Sequence, residues 1–240
     1  MITLLDIGNT RTKYCTVESG VRSKLHAIAN EDVSPDFLSS HFGLSTKLIT
    51  ACVSHEKLIN LIATWCDRNN TEFHRVKSES KKNNVISGYE IPEQLGVDRW
   101  LTIIAASELY PKMNVLIIDA GTATTIDFLT ESGQHKGGWI LAGVTMLVST
   151  LLMNTSQVSA RSKENPNIRF GTDTSENVHN GSIAATIGAI QLAISEINSL
   201  DYDLNKVIIT GGNAHILSPL LTNSNIVIDE LVFVGLQAYI

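Results

Sequence analysis

The sequence predicts an α/β protein of two related lobes, each a mixed sheet with flanking helices. Three observations carry this expectation. Short apolar, β-prone runs alternate with longer segments whose apolar residues recur at helical spacing. The segment Leu4-Leu5-Asp6-Ile7-Gly8-Asn9-Thr10-Arg11-Thr12 lines up with Ile117-Ile118-Asp119-Ala120-Gly121-Thr122-Ala123-Thr124-Thr125, the first Asp, the Gly and the last Thr coinciding. The offset of 113 is close to half of the 240 residues, so the lobes are expected at residues 1–112 and 113–240.

The elements follow in order. Residues 2–6 read as a strand that ends in a Gly-Asn-Thr turn, and residues 11–18 as the next strand, with Gly20 closing a hairpin. Residues 47–53 read as a buried strand. Leu58, Ile59, Ile62 and Trp65 give residues 56–69 a helical face. Residues 79–84 form a polar loop. A helix over 97–109 must stop before Pro111. Strands are expected over 115–118, 123–129 and 207–209, and a helix over 181–199.

Composition narrows the class. Hydrophobic residues make up 43% of the chain and charged residues 18%, which excludes a disordered chain. Lysine and arginine total 18 against 24 acidic residues, a net charge of −6, which argues against a dedicated nucleic-acid binder. Cys15, Cys52 and Cys66 are an odd number without a CxxC pair, as expected of core thiols in a reducing, cytoplasmic setting. No basic stretch precedes the first apolar run, so a secretory signal is not expected. Residues 137–160 carry no charge, but Thr145, Ser149, Thr150, Asn154, Ser156 and Gln157 make a membrane span implausible. The stretch reads as a buried loop leading into a helix.

The repeated turn has a chemical use. Glycine allows a tight turn and close approach of a ligand to backbone amides, which can face an anion. Asn9, Thr10, Thr122 and Thr124 add short polar groups for phosphate oxygens. Asp6 and Asp119, at strand ends, could face a cation that accompanies phosphates, and Lys13 could add a point charge. Each also has an ordinary structural reading, Lys13 as a solvated strand residue above all. Thr210-Gly211-Gly212-Asn213-Ala214 is a third glycine turn, suited to a ribose or adenine or simply to a strand-to-helix connection. In Tyr89-Glu90-Ile91-Pro92-Glu93-Gln94-Leu95-Gly96-Val97-Asp98-Arg99, Gly96 opens space before a helix while Asp98 and Arg99 set a base beside a cation, or merely cap the helix. The chain lacks GxxxxGK[ST], the protein-kinase signatures and HExxH.

Taken together, the segments at residues 6–13, 89–99, 119–127, 137–143 and 210–214 make the chain resemble type III pantothenate kinase, of the actin-like and sugar-kinase ATPase superfamily. The resemblance runs almost end to end. It implies two ribonuclease H-like lobes and transfer of the ATP γ-phosphoryl to the primary hydroxyl of pantothenate, the first step of coenzyme A synthesis. It further implies that Asp6, Ile7, Gly8, Asn9, Thr10, Arg11, Thr12, Lys13 and Thr122 contact ATP. Asp98 would be the general base, and Tyr89, Gly96, Val97, Asp98 and Arg99 would line pantothenate. Asp119 would hold a monovalent cation, potassium or ammonium, alongside magnesium brought with ATP. Thr174 would reach pantothenate across a homodimer with shared sites. Ala142 stands where the family usually has proline, and Thr172 where a basic residue is common. A kinase of another small alcohol and a non-catalytic regulator on the same fold are the alternatives. Neither nucleic acid nor membrane is an expected partner.

Overall fold

The computed structural model describes residues 1–154 and 167–240, which form two compact units. The first comprises Met1–Ser80, Tyr89–Ala105 and Leu231–Ile240, and the second Lys81–Gly88 and Ala106–Glu230.

In the first unit, β1 (Ile2–Ile7) pairs antiparallel with β2 (Arg11–Glu18), and β2 with β3 (Val21–Arg22) and β4 (His26–Ala29). Ser19 and Gly20 take positive φ in the β2–β3 turn, where glycine is the residue that does so without strain. Helix α1 (Pro35–Phe42) starts at Ser34, whose hydroxyl accepts the Phe37 N–H at 3.2 Å, with Pro35 in the first turn. Next come β5 (Lys47–Cys52), α2 (Glu56–Arg68) and β6 (Glu72–Arg75). The sheet order is β3-β2-β1-β5-β6, with β1, β5 and β6 parallel. Leu58, Ile59, Ile62, Trp65 and Cys66 of α2 pack with Leu5, Ile7 and Leu48 of the sheet, as the helical spacing required.

The second unit opens with a short hairpin, β7 (Lys81–Lys82) and β8 (Val85–Ile86). Helix α3 (Val97–Leu109) has the expected bounds, and its residues up to Ala105 belong to the first unit. Then β9 (Val115–Ala120), β10 (Ala123–Leu129) and β11 (His135–Ala142) form an antiparallel meander. Helices α4 (Val144–Asn154) and α5 (Thr174–Ser199) follow, then β12 (Lys206–Thr210), α6 (Ala214–Leu217) and β13 (Ile226–Val227). This sheet has the order β11-β10-β9-β12-β13, with β9, β12 and β13 parallel. Its core joins Leu116, Ile118, Ile126, Ile187, Ile190, Val207 and Ile209. Helix α7 (Leu231–Gln237) returns to the first unit, where Gly235 lies so close to the Leu101 carbonyl that a Cβ would stand 2.1 Å from it.

Each unit is therefore a mixed sheet in which an antiparallel hairpin is extended by parallel strands, with helices alongside. Two local expectations are corrected. Helix α5 starts seven residues before the expected residue 181, because Asp173 caps it by accepting the Glu176 N–H at 2.8 Å. The stretch from residue 137 is not a buried loop: it is strand through Ala142, paired with β10, and then a helix whose Met146 and Leu151 are exposed. Ser156, Gln157 and the rest of that stretch beyond Asn154 lie outside the described residues. No helix of the described residues is long and apolar enough to cross a membrane. All three cysteines are buried free thiols.

Candidate active site

In the first unit, the β1–β2 hairpin presents residues 8–10 at its tip. Asn9, Thr10 and Arg11 are exposed, whereas Ile7 is buried in the core, so only its backbone can meet a ligand. Antiparallel register sets Asp6 opposite Lys13 on the same face. Asp6 is half-buried, and desolvation pushes its carboxyl up to about 6; Lys13 pulls it down, and the negative charge of Asp98 pushes it up again. Asp6, Lys13 and Asp98 are therefore electrostatic neighbours.

Asp98 lies in the first turn of α3. Its Oδ1 accepts the Arg99 N–H at 2.8 Å, and its carboxylate folds back over Gly96, where a Cβ would stand 2.6 Å from Oδ1. Gly96 thus leaves room for the Asp98 carboxylate in this position. Asp98 Oδ2 has no hydrogen-bond partner among the described residues. Arg99 is only 4% exposed; its Nη1 donates to the Tyr89 hydroxyl at 2.7 Å, and its guanidinium lies 5.6 Å from the centre of the Tyr89 ring. Val97 is buried. The structure thus brings Tyr89, Gly96, Val97, Asp98 and Arg99 into one cluster. Beside it, Ser78 donates to the Leu95 carbonyl at 2.7 Å, and the Trp100 Nε1–H donates to the Tyr239 hydroxyl at 3.0 Å, which fixes the start of α3.

In the second unit, the β9–β10 turn at Gly121 and Thr122 is enclosed by backbone. The Gly143 N–H donates to the Thr122 carbonyl at 3.0 Å, and a Cβ on Gly143 would stand 2.4 Å from the Gly121 carbonyl oxygen. Asp119 sits at the end of β9, opposite Thr125 on β10 and Thr210 on β12. Gly211, at φ +90°, approaches it so closely that a Cβ would lie 2.4 Å from Asp119 Oδ1. The Asn213 N–H donates to the Ala120 carbonyl at 2.9 Å. A cleft of about 570 Å³ opens here, lined by Gly121, Thr122, Thr145, Met146, Ser149, Gly212 and Asn213. The second and third glycine turns thus line one cavity. Thr174 is exposed in the first turn of α5, and Thr172 bonds Glu176 Oε2 through both its N–H and its hydroxyl.

Two groups escape sequence reasoning. Asn30 and His55 bond the first turn, but nothing local marks them, because distant strands bring them there. Thr145, Met146 and Ser149 line the cleft only because α4 folds back beside it. The Asp173-Thr-Ser-Glu176 cap was legible as Asp-x-x-Glu.

Comparison with known proteins shows what this arrangement is similar to. The family profile described as type III pantothenate kinase matches residues 2–196. A protein named type III pantothenate kinase from Colwellia psychrerythraea is 45% identical over 249 aligned positions, covering 100% of both chains. A solved structure from Campylobacter jejuni, assigned to the Baf family of transcriptional activators, superposes with a TM-score of 0.61 at 22% identity, covering 98% of this chain and 95% of that one. Another, from Sinorhizobium meliloti and assigned as a 2-dehydro-3-deoxygalactonokinase, also gives 0.61 at 13% identity, covering 99% and 97%. At those identities the two structures speak to the fold alone.

Proposed function

Because the chain belongs to the type III pantothenate kinase family, we propose that it transfers the γ-phosphoryl group of ATP to the primary hydroxyl of pantothenate, giving 4'-phosphopantothenate. Asp98 is the general base. As the hydroxyl oxygen bonds to the γ-phosphorus, its proton passes to the carboxylate, the bond from γ-phosphorus to the β–γ bridging oxygen breaks, and ADP leaves. The observation that supports Asp98 is its geometry: one carboxylate oxygen is held by the Arg99 N–H, while the other has no partner among the described residues and can accept a proton.

The surrounding residues have matching parts. Asp6, Ile7, Gly8, Asn9, Thr10, Arg11, Thr12 and Lys13 form the phosphate-binding hairpin, with Lys13 supplying positive charge. Thr122 contributes to nucleotide binding, beside the cleft at Gly212 and Asn213. Tyr89, Gly96, Val97 and Arg99 orient the acceptor, Arg99 as the buried cation suited to a carboxylate.

The donor chemistry suits cations. Burial and the negative charge of Asp98 raise the cost of ionising Asp6, and a divalent ion arriving with ATP would relieve it, so Asp6 is the residue that would hold magnesium. Asp119, cradled by glycines, would hold potassium or ammonium. Such ions neutralise phosphate charge when bound. The reading extends to a cytoplasmic setting, in keeping with three free thiols, and to a homodimer in which Thr174 serves a shared site, in keeping with exposed Met146, Leu151 and Leu192.

The test is ADP release with pantothenate, hexoses and glycerol as acceptors, each with and without potassium. Release dependent on pantothenate and increased by potassium is the expected result. Release with another alcohol in its place would move the chain to a different small-molecule kinase.

A further inference from the structure

The tip of the first hairpin has an asymmetry that the repeat does not explain. All three of its carbonyl oxygens are engaged. Gly8 O accepts from Asn30 Nδ2 at 2.9 Å, Asn9 O from His55 Nε2 at 2.8 Å, and Thr10 O from the Asn30 N–H at 3.0 Å. The Gly8 N–H is taken by the Arg11 carbonyl, but the N–H groups of Asn9 and Thr10 have no partner among the described residues. An anion is attracted by amide hydrogens and repelled by carbonyl oxygens, so fixing the carbonyls elsewhere turns an ordinary hairpin tip into an anion cradle.

The two clamping side chains are themselves held. Asn30 follows β4, one residue beyond the Arg11–Ala29 pair, which sets it beside Thr10. Its Oδ1 accepts the Thr12 hydroxyl at 2.8 Å, and Gly8 O can only accept, so the amide is oriented with Nδ2 toward Gly8. The Thr12 side chain is thereby engaged inside the clamp. His55 immediately precedes α2, and its backbone N–H donates to Cys52 Sγ at 3.3 Å, at the strand end whose register partner is Ile7. Ser54 Oγ donates to Asn9 Oδ1 at 3.3 Å. Contacts from the β4 and β5 ends thus converge on three successive peptide groups.

We infer that Asn30 and His55 are positioning residues for the ATP phosphates, holding the carbonyls of Gly8, Asn9 and Thr10 away so that the Asn9 and Thr10 amides face the anion. This rests on the kinase reading only for the identity of the anion. Removing either clamp loosens ATP and leaves pantothenate recognition alone, because Tyr89, Gly96 and Arg99 make none of these bonds.

The test is direct titration of ATP into wild type, Asn30→Ala, His55→Ala and His55→Gln by calorimetry, followed by kinetics with each substrate varied. Asn30→Ala is expected to weaken ATP about tenfold, as loss of a hydrogen bond to a fixed partner does, and His55→Ala several-fold. His55→Gln keeps an amide donor for Asn9 O and is expected to recover most of the loss. The KM for ATP rises with the dissociation constant, while the KM for pantothenate stays within about twofold. If Asn30→Ala does not fold, the two His55 variants decide the matter. Unchanged ATP affinity in the folded variants would overturn the inference, as would loss of affinity for both substrates together with a lowered unfolding midpoint. Calorimetry needs no acceptor, so a wild type that binds ATP but ignores pantothenate would refute the kinase reading and leave the clamp standing.

Discussion

The two hairpin turns start from matching residues and are braced in different ways. The strands β1 and β9 occupy corresponding positions, Ile2–Ile7 and Val115–Ala120, yet the first hairpin pairs Ile7 with Thr12 while the second pairs Ala120 with Thr124. The second loop is shorter by one residue. A one-residue change of register changes which side chain faces the aspartate: Lys13 opposes Asp6, but Thr125 opposes Asp119. Support differs too. The first tip is held by the side chains of Asn30 and His55, the second by the backbone close approach of Gly143 and Gly211. One turn should fail when a polar group is removed, the other when a methyl group is added.

The largest test of that contrast is Gly211→Ala. The new Cβ would meet Asp119 Oδ1 at 2.4 Å and the Ala120 carbonyl carbon at 2.6 Å, at a φ of +90°. Overpacking against backbone together with the left-handed conformation should cost roughly 3 kcal/mol, read as a lowered denaturation midpoint.

A smaller effect of opposite sign is expected at Asp6. Its carboxyl titrates near 6 when folded, above the ordinary value of 3.8. Between those pH values the folded protein holds a proton that the unfolded chain has lost, so stability falls as pH rises and the full penalty applies above about 6. Asp6→Asn should therefore stabilise the fold by on the order of 1–3 kcal/mol at neutral pH, and the gain should vanish below about pH 4. Denaturation curves at the two pH values decide this. A gain that grows on acidification would be the wrong sign.

The smallest effect belongs to Gly121→Ala. The added carbon would lie 3.5 Å from the Ala123 carbonyl oxygen and from Asp119 Oδ1, which is ordinary contact. Stability should change by less than about 0.5 kcal/mol, in contrast to Gly211. Equal losses at the two glycines would contradict the reading that close approach constrains Gly211 and leaves room at Gly121.

Much of this was legible in sequence because the signals were local. The repeated strand and turn, the 97–109 helix ended before Pro111, and the cluster around Asp98 all follow from residues adjacent in the chain. The register slip was not legible: aligning the repeats by residue pairs Thr12 with Thr125, but only the hydrogen-bonded ladders show that they face different neighbours. Asn30 and His55 were missed for a related reason, since their roles come from strands that pair across many intervening residues. The strand at His135–Ala142 was hidden by two glycines and an apolar run, which masked its alternation. The start of α5 could have been read from its Asp-x-x-Glu cap.

The central claim is that Asp98 takes the proton from the acceptor hydroxyl, and pantothenate-dependent ADP formation by Asp98→Asn tests it most directly. Asparagine keeps an oxygen for the Arg99 N–H, so the variant should fold with an unchanged unfolding midpoint and still bind ATP. The expected result is a kcat lower by roughly 10²–10⁴-fold. Turnover close to wild type in a folded, ATP-binding Asp98→Asn protein would contradict it.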